Sequence, residues 1–379
     1  MKKICYITTV PMTIKAFILE SAEYLHKNTD WDITFICDED EEFAANLPEY
    51  IHYHPIKMTR GISLDGITAM MEMKKIFREK QFDLIQYSTP NASFYAAIAG
   101  KMEKVPVRLY CQWGMAYVGF TGLKRMIFKS IEKYVCKNST WIEPDSKSNL
   151  QFSHKEGLYP EDKGSVIWNG SACGVKLDKF DVEHKSEWRH IIREKHAIPS
   201  DAFVYGFVGR ATRDKGINEL LSAAKTILAK YSNTYLVFVG PEEADVTINA
   251  DLLAWAKADE RVIFAGYSNI VEQYLSAMDV YILPSYREGF GMGVVEAEAM
   301  AVPVIVTNIP GPIDAMVKDV TGFVIEKKSV SDLQDAMETI MYLDVKSMGQ
   351  AGLEFARNEF GQEEFFNKLL EDRKKLLKC

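Results

Sequence analysis

The chain has 379 residues, 47% of them hydrophobic and 26% charged, with a formal net charge of −8. That length exceeds what one hydrophobic core usually supports, so two domains are expected. The charge divides as 23 basic against 22 acidic residues up to Phe180 and 22 against 31 beyond it, which argues against a nucleic-acid partner, because binding phosphates calls for a basic excess.

The amino terminus, MKKICYITTVPMTIKAF, starts basic, but Pro11 and Lys15 break its apolar run. It reads as a first strand rather than a signal peptide. Nowhere do about 18 apolar residues run together, so no membrane-spanning helix is expected. Cys5, Cys37, Cys111, Cys136, Cys173 and Cys379 form no C-x-x-C pair and do not cluster with histidine at metal-ligand spacing. They read as reduced thiols of a cytoplasmic protein.

Short β-branched and aromatic runs alternate with amphipathic segments along the whole chain, the pattern of parallel sheets covered by crossover helices on both faces. In the first half the strands are read at Lys3 to Thr9, Asp32 to Cys37, Phe82 to Ser88, Val105 to Cys111, Thr140 to Glu143 and Gly164 to Trp168. The segment Thr121 to Lys137 carries five basic residues and one acidic, with Leu123, Ile127, Phe128, Ile131, Tyr134 and Val135 at helical spacing. Such a helix either covers a domain core or lies on an anionic bilayer. The boundary is placed in the polar stretch Trp168 to Ser200, with the first domain taken as 1–180 and the second as 181–361. In the second half the strands are read at Phe203 to Val208, Tyr235 to Val239, Val262 to Ala265, Val280 to Pro284, Pro303 to Thr307 and Gly322 to Ile325. The last segment, 362–379, is an amphipathic helix through Phe365, Phe366, Leu369, Leu370 and Leu376 that can pack back on the first domain.

Parallel sheets bind ligands beyond the carboxyl ends of their strands, and two such loops carry unusual chemistry. In FVYGFVGRATRDKGINELL a strand ends at Gly209, Arg210 and Lys215 follow, and Gly216 opens a helix. A glycine that admits close backbone approach, two cations and a helix amino terminus suit a diphosphate. On this segment alone, solvated loop cations are the alternative. In VYILPSYREGFGMGVVEAEAMAVP, Glu288 precedes a helix and Glu296 lies inside it, while Gly289, Gly291 and Gly293 expose backbone amides. A carboxylate beside a glycine loop suits sugar hydroxyls better than phosphates, because it accepts hydroxyl hydrogen bonds and repels anions. For Glu288 helix capping is the competing explanation, and Arg287 and Glu298 read as surface charges. The acidic run Asp38-Glu39-Asp40 continues into Glu41 and Glu42 and reads as a solvated turn rather than a metal site. Histidines 52, 54, 154, 184, 190 and 196 show no nucleophile or metal pattern.

The GR…KG loop, then E-G-F-G-x-x-x-x-E-A and P-V-I, resembles the donor-binding signature of the retaining glycosyltransferases of family 4, which have the GT-B fold. WNGSACGVKLDKF and VTNIPGPIDAM are similar to motifs of the capsule and O-antigen branch of that family. The resemblance implies an α/β protein with two Rossmann-like domains facing across a cleft, the second binding a nucleoside diphosphate sugar. Arg210 and Lys215 would grip the diphosphate and Glu296 the ribose hydroxyls. Glu288 would contact the transferred sugar, and the amides of Phe290, Gly291 and Met292, with Gly209 and Gly289 beside them, would complete the donor site. Neither a cofactor nor a metal is implied. The implied activity is transfer of a hexose-type sugar, from a UDP-sugar ahead of a GDP-sugar, to a surface polysaccharide or lipid-linked glycan. The implied place is the cytoplasm, with peripheral contact through 121–137 at the inner membrane face. A sugar-nucleotide epimerase of the same architecture and a noncatalytic sugar-binding protein are the alternatives. A dehydrogenase is disfavoured, since no G-x-G-x-x-G follows the first strand. Departures fall in the first domain: TTVPMTIKAF, with Thr13, lacks the glycine loop of many relatives, and Trp113 stands where many have a histidine. Both are assigned to the acceptor side; Trp113 suits either sugar stacking or plain packing.

Overall fold

The structure, a computed structural model, describes residues 1–58, 65–241 and 247–379. It divides into two compact units, Met1–Gly174 with Glu363–Cys379 and Val175–Gln362. Unit 1 holds β1 (Lys3–Ile7), β2 (Asp32–Cys37), β3 (Ile51–Pro55), β4 (Leu84–Tyr87), β5 (Val107–Gln112) and β6 (Trp141–Pro144) in one parallel sheet ordered β3-β2-β1-β4-β5-β6. Unit 2 holds β7 (Phe203–Val208), β8 (Thr234–Val239), β9 (Val262–Phe264), β10 (Val280–Leu283), β11 (Val304–Thr307) and β12 (Gly322–Ile325), ordered β12-β11-β10-β7-β8-β9. Both are α/β units with the doubly wound strand order of a dinucleotide-binding fold.

The strands read as continuous apolar runs because both faces of each sheet are covered. In β1 the alternation of side chains sends Cys5 and Ile7 into one core and Ile4 and Tyr6 into another. The first core takes Met73 and Phe77 from the helix Asp65–Lys80, Ala96 from Pro90–Met102 and Val135 from Gly122–Asn138. The second takes Ile14 and Leu25 from the helices Pro11–Phe17 and Leu19–Lys27, and Phe365, Phe366 and Leu369 from the carboxyl-terminal helix Gln362–Leu377. That last helix is also held by a buried ion pair. The Arg373 guanidinium, 1% exposed, donates to both carboxylate oxygens of Glu143 at 2.5 and 2.8 Å and to the Gln86 side-chain oxygen at 3.0 Å. Burial opposes its charge, but Glu143 and Asp372 outweigh that and keep it protonated.

Three sequence expectations change. Gly164 to Trp168 is not a strand: only the bridge Ile142–Gly164 forms, and Trp168 turns the chain away with φ 49°. The strand Ile51–Pro55 has no apolar alternation, because it is a sheet edge, where histidines and a proline are tolerated. Residues 175–180 lie in unit 2: Val175 exchanges backbone hydrogen bonds with Phe360 and Gln362 (2.7 and 3.0 Å), and Phe180 enters that unit's core.

Candidate functional site

In unit 2 the strands β7 and β10 are neighbours and parallel, with Tyr205 opposite Val280 and Gly206 opposite Tyr281. The chain leaves β7 toward β8 on one side and β10 toward β11 on the other, so the loops after these two strands open at the topological switch point of the sheet. These are the two loops singled out by sequence, and the distance between them along the chain vanishes here.

After β7, Gly209 and the exposed Arg210 lead to Thr212, a short 3-10 turn at Arg213–Lys215, and Gly216. Gly216 has φ 72°, and a Cβ there would lie 2.1 Å from the carbonyl oxygen of Pro284. Only glycine lets this turn press on the end of β10. As a result the Lys215 Nζ sits 2.6 Å from Glu288 Oε1, with the two side chains 22% and 13% exposed. Asp214 ties the loops further: it accepts from Thr212 Oγ1 at 2.5 Å and from the Arg287 guanidinium at 2.9 Å, while its carbonyl accepts from Tyr286 N at 2.8 Å. Burial pushes the Asp214 carboxyl up, yet the Thr212 hydroxyl and the charges of Arg287, Lys215 and Arg210 hold it below the usual carboxylate range. Arg287 is therefore a cross-loop tie and not a loose surface charge.

After β10, Pro284 and Ser285 are buried and the loop reaches Gly291, which has φ 92° and caps the helix Met292–Ala299 without a side-chain hydrogen bond. The partial positive charge of a helix amino terminus stands here, beside Gly289 and Phe290. The Phe290 ring is buried and packs on Phe360 at 5.1 Å, so only its backbone faces the loop chemistry. Glu296 lies one turn inside the helix. Desolvation pushes its carboxyl up to about 7, with Glu272 acting in the same direction and Lys179 and Lys176 against it. Glu272, itself 7% exposed, pairs with Lys179 at 3.6 Å. Glu298 is a correction: the helix turns it inward to complete burial, and burial pushes its pKa well above the usual range while Thr321 acts the other way.

Sequence reasoning missed Asp214, Glu272 and Lys179 as neighbours of this site. Asp214 sits inside the singled-out loop and was legible from its place between Arg210 and Lys215. Glu272 comes from the helix Val271–Ala277 and Lys179 from the segment entering unit 2; only folding brings them to Glu296.

In unit 1 the switch point lies between β1 and β4, where Thr9 N and Thr9 Oγ1 both meet Thr89 Oγ1, at 3.0 and 2.8 Å. Thr13 is half-buried on the helix Pro11–Phe17, and Trp113, just after β5, packs its ring on Phe17 of that helix at 5.7 Å. The cavity beneath Trp113, bordered by Tyr6, Gln86, Glu143 and Arg373, is closed to about 10 Å³, room for one water. The acidic run after β2 has a structural use: Asp40 caps the helix Glu41–Ala45 by accepting from Phe43 N at 2.7 Å. Among the described residues no group of three histidine, cysteine or acidic side chains could hold a metal, and no helix is long and apolar enough to cross a membrane.

Comparison with known proteins places this geometry. Residues 189–352 match the family model of glycosyl transferases group 1, and residues 3–146 match that of glycosyl transferase 4-like domains. The capsular polysaccharide biosynthesis glycosyltransferase CapM of Staphylococcus aureus is 27% identical over 372 residues, covering 97% of this chain and 96% of that protein. A UDP-Gal:α-D-GlcNAc-diphosphoundecaprenol α-1,3-galactosyltransferase of Escherichia coli is 25% identical and covers 88% of this chain and 87% of its own. Among solved structures, Anabaena HepE in complex with UDP superposes with a TM-score of 0.77 at 17% identity, covering 99% of this chain and 100% of that one. Sucrose-phosphate synthase of Thermosynechococcus elongatus superposes at 0.78 with 18% identity and 99% coverage of each. These likenesses establish the GT-B fold. With one family model over each unit, the chain belongs to the family 4-type glycosyltransferases, and its activity is glycosyl transfer.

Proposed function

We propose that the chain transfers a hexose-type sugar, with retention of anomeric configuration, from a UDP-sugar ahead of a GDP-sugar to a surface polysaccharide or its lipid-linked precursor. The observation that carries this reading is the Lys215–Glu288 contact at 2.6 Å, which joins a phosphate-type cation and a sugar-type carboxylate at the switch point of unit 2. Arg210 and Lys215 take the donor diphosphate, and the amides around Gly291 and Met292 at the helix amino terminus add to the positive field. Glu288, held by Lys215, accepts hydrogen bonds from hydroxyls of the transferred sugar. Glu296 in its ionised form accepts both ribose hydroxyls.

In the reaction the bond from the anomeric carbon to the diphosphate oxygen breaks and one to the acceptor oxygen forms on the same face. The acceptor proton passes to a diphosphate oxygen. The protein's contribution is positioning and charge stabilisation of the leaving diphosphate by Arg210 and Lys215. This assignment gives the leaving-group charge to side chains and not to a metal. Support for the donor and acceptor classes comes from the relatives: HepE is solved with UDP and UDP-glucose, and the E. coli and Campylobacter jejuni relatives are named for diphosphoundecaprenol-linked acceptors.

A thermal-shift screen of UDP-, GDP-, ADP- and CMP-sugars, with and without chelator, tests it. The expected outcome is a raised midpoint with UDP-sugars that chelator leaves unchanged. No response to any nucleotide sugar would remove the donor site, and a response that chelator abolishes would remove the metal-free assignment. The anomeric configuration of the product, read by NMR coupling constants, tests retention.

A further inference from the structure

Two short stretches of unit 2, 214–219 and 286–288, face each other rung by rung. Asp214 meets Arg287 and Lys215 meets Glu288, at 2.9 and 2.6 Å. A further rung lies beside these charged pairs: the Tyr286 phenol donates to Glu219 Oε1 at 2.6 Å, and the Tyr286 N–H donates to the Asp214 carbonyl at 2.8 Å. Tyr286 therefore holds the opposite stretch on both sides of Lys215, by backbone before it and by side chain after it. A hydrogen bond of that length to a carboxylate is charge-assisted, about twice as strong as a neutral one.

The local fold directs Glu219 to this contact. It stands third in the helix Ile217–Lys230, where a glutamate ordinarily reaches back to the N–H of the cap residue. Here the cap is Gly216, whose N–H already donates to the Arg213 carbonyl at 3.0 Å. The carboxylate turns to Tyr286 instead. Burial, the hydrogen bond to Glu219 and the charge of that carboxylate push the phenol pKa upward, while Arg213 acts the other way, so the hydroxyl keeps its proton and stays a donor. Tyr286 is itself held in place from the neighbouring strands. Thr307 Oγ1, at the end of β11, donates to the Ser285 carbonyl at 2.6 Å, and the ammonium of Lys328, beyond β12, lies 4.9 Å from the centre of the Tyr286 ring.

We infer that Tyr286 is a positioning residue for the donor site: by tying Glu219 and the Asp214 carbonyl to the loop that carries Glu288, it holds the Lys215 ammonium where the donor diphosphate is received. The inference rests on the donor assignment proposed above, and in it Tyr286 acts through Lys215 without touching the donor. Lysine has a flexible four-carbon stem, so its neighbours decide where the charge stands. A charge already in place loses little freedom when the ligand arrives, and affinity gains accordingly.

Calorimetric titration of UDP and of GDP into the full chain tests it. With Tyr286→Phe, which keeps the ring and removes the hydroxyl, the dissociation constant of the nucleotide that binds is expected to rise about tenfold. Glu219→Ala should match that loss, whereas Glu219→Gln, which keeps an oxygen acceptor for the phenol, should stay within about twofold of the wild type. On a Lys215→Ala background Tyr286→Phe should change the dissociation constant no further, since the ammonium it places is gone. A residue that only stabilised unit 2 would give the same loss with or without Lys215. Unchanged affinity in Tyr286→Phe, equal losses for the two Glu219 variants, or an undiminished loss on the Lys215→Ala background would overturn the inference. Urea midpoints show which variants are folded, and the two Glu219 variants give the same comparison if Tyr286→Phe is not. If the wild type binds neither nucleotide, the donor assignment falls and this inference with it; if it binds and Tyr286→Phe binds equally well, this inference alone falls.

Discussion

The two units share one topology and use its open edge in opposite ways. Renumbered from its own first strand, the order of unit 2 is that of unit 1, and each has a switch point between its first and fourth strands. In unit 2 that edge is polar and charged: Gly216 and Gly291 bend the backbone into left-handed conformations, and Lys215, Glu288, Asp214 and Arg287 meet there. In unit 1 the same edge is filled, by the Thr9–Thr89 contact, by Trp113 on Phe17 and by the Arg373 side chain reaching in from the carboxyl-terminal helix. The lesson is that one strand order offers the same place twice, while the loop residues decide what chemistry stands there.

Substitutions can break that comparison. Arg373→Ala leaves Glu143 buried without its partner, and a loss of about 3–5 kcal/mol in unfolding free energy is expected by denaturant titration. The nucleotide response of unit 2 should survive wherever the variant remains folded. Lys215→Ala or Glu288→Ala should cost about 2–4 kcal/mol of transition-state stabilisation, read as a fall of about thirtyfold to nine-hundredfold in kcat/KM with an unchanged circular dichroism spectrum. Near-normal turnover in either folded variant would remove it from the site. Gly216→Ala must hold an alanine at φ 72° against the Pro284 carbonyl, and a loss of about 1–3 kcal/mol in stability with weaker donor binding is expected.

Two acids sharpen the contrast through pH. Because the Glu296 carboxyl stands at about 7 and the ionised form accepts the ribose hydroxyls, donor affinity should fall as pH drops through 7. One unit below, it should be about tenfold weaker than on the alkaline plateau. Calorimetry in buffers of different ionisation enthalpy should show proton release on binding, and Glu296→Gln should abolish both effects. Glu298 affects stability alone. A carboxyl whose folded pKa is raised imposes no penalty below its unfolded pKa and a growing one as pH rises toward the folded value. Stability of the wild type should therefore decline with rising pH more steeply than that of Glu298→Gln, by urea midpoint at matched pH values.

Much of this was readable before folding was considered. The β1 and β7 runs announce buried parallel strands, and the G-R…K-G and E-G-F-G motifs mark the loops that form the candidate site. What escaped notice has a common cause. Ile51–Pro55 pairs only at a sheet edge and so shows no apolar signature. Glu298 resembles its surface neighbours in sequence but faces Gly352 and Thr321 once the helix packs on Val345–Phe360. Glu272 and Lys179 reach Glu296 from elements nearly a hundred residues apart, and no local pattern records that meeting. The helix Gly122–Asn138 has an amphipathic pattern that suits either a domain core or a bilayer surface, and the fold buries Val135 near its end while leaving its first turns uncovered.

Local residue patterns by themselves determined the alternation of strands and helices, the family and the loops that carry charge, because periodicity, glycine placement and spaced carboxylates act over short stretches of chain. Tertiary structure alone decided that Lys215 and Glu288 touch, that Glu296 is desolvated beside Glu272 and Lys179, that Glu298 is buried and that Leu123, Met126 and Ile127 are exposed. Each of these depends on which surfaces the rest of the chain covers, and solvation and charge coupling are set by those neighbours, not by adjacent residues.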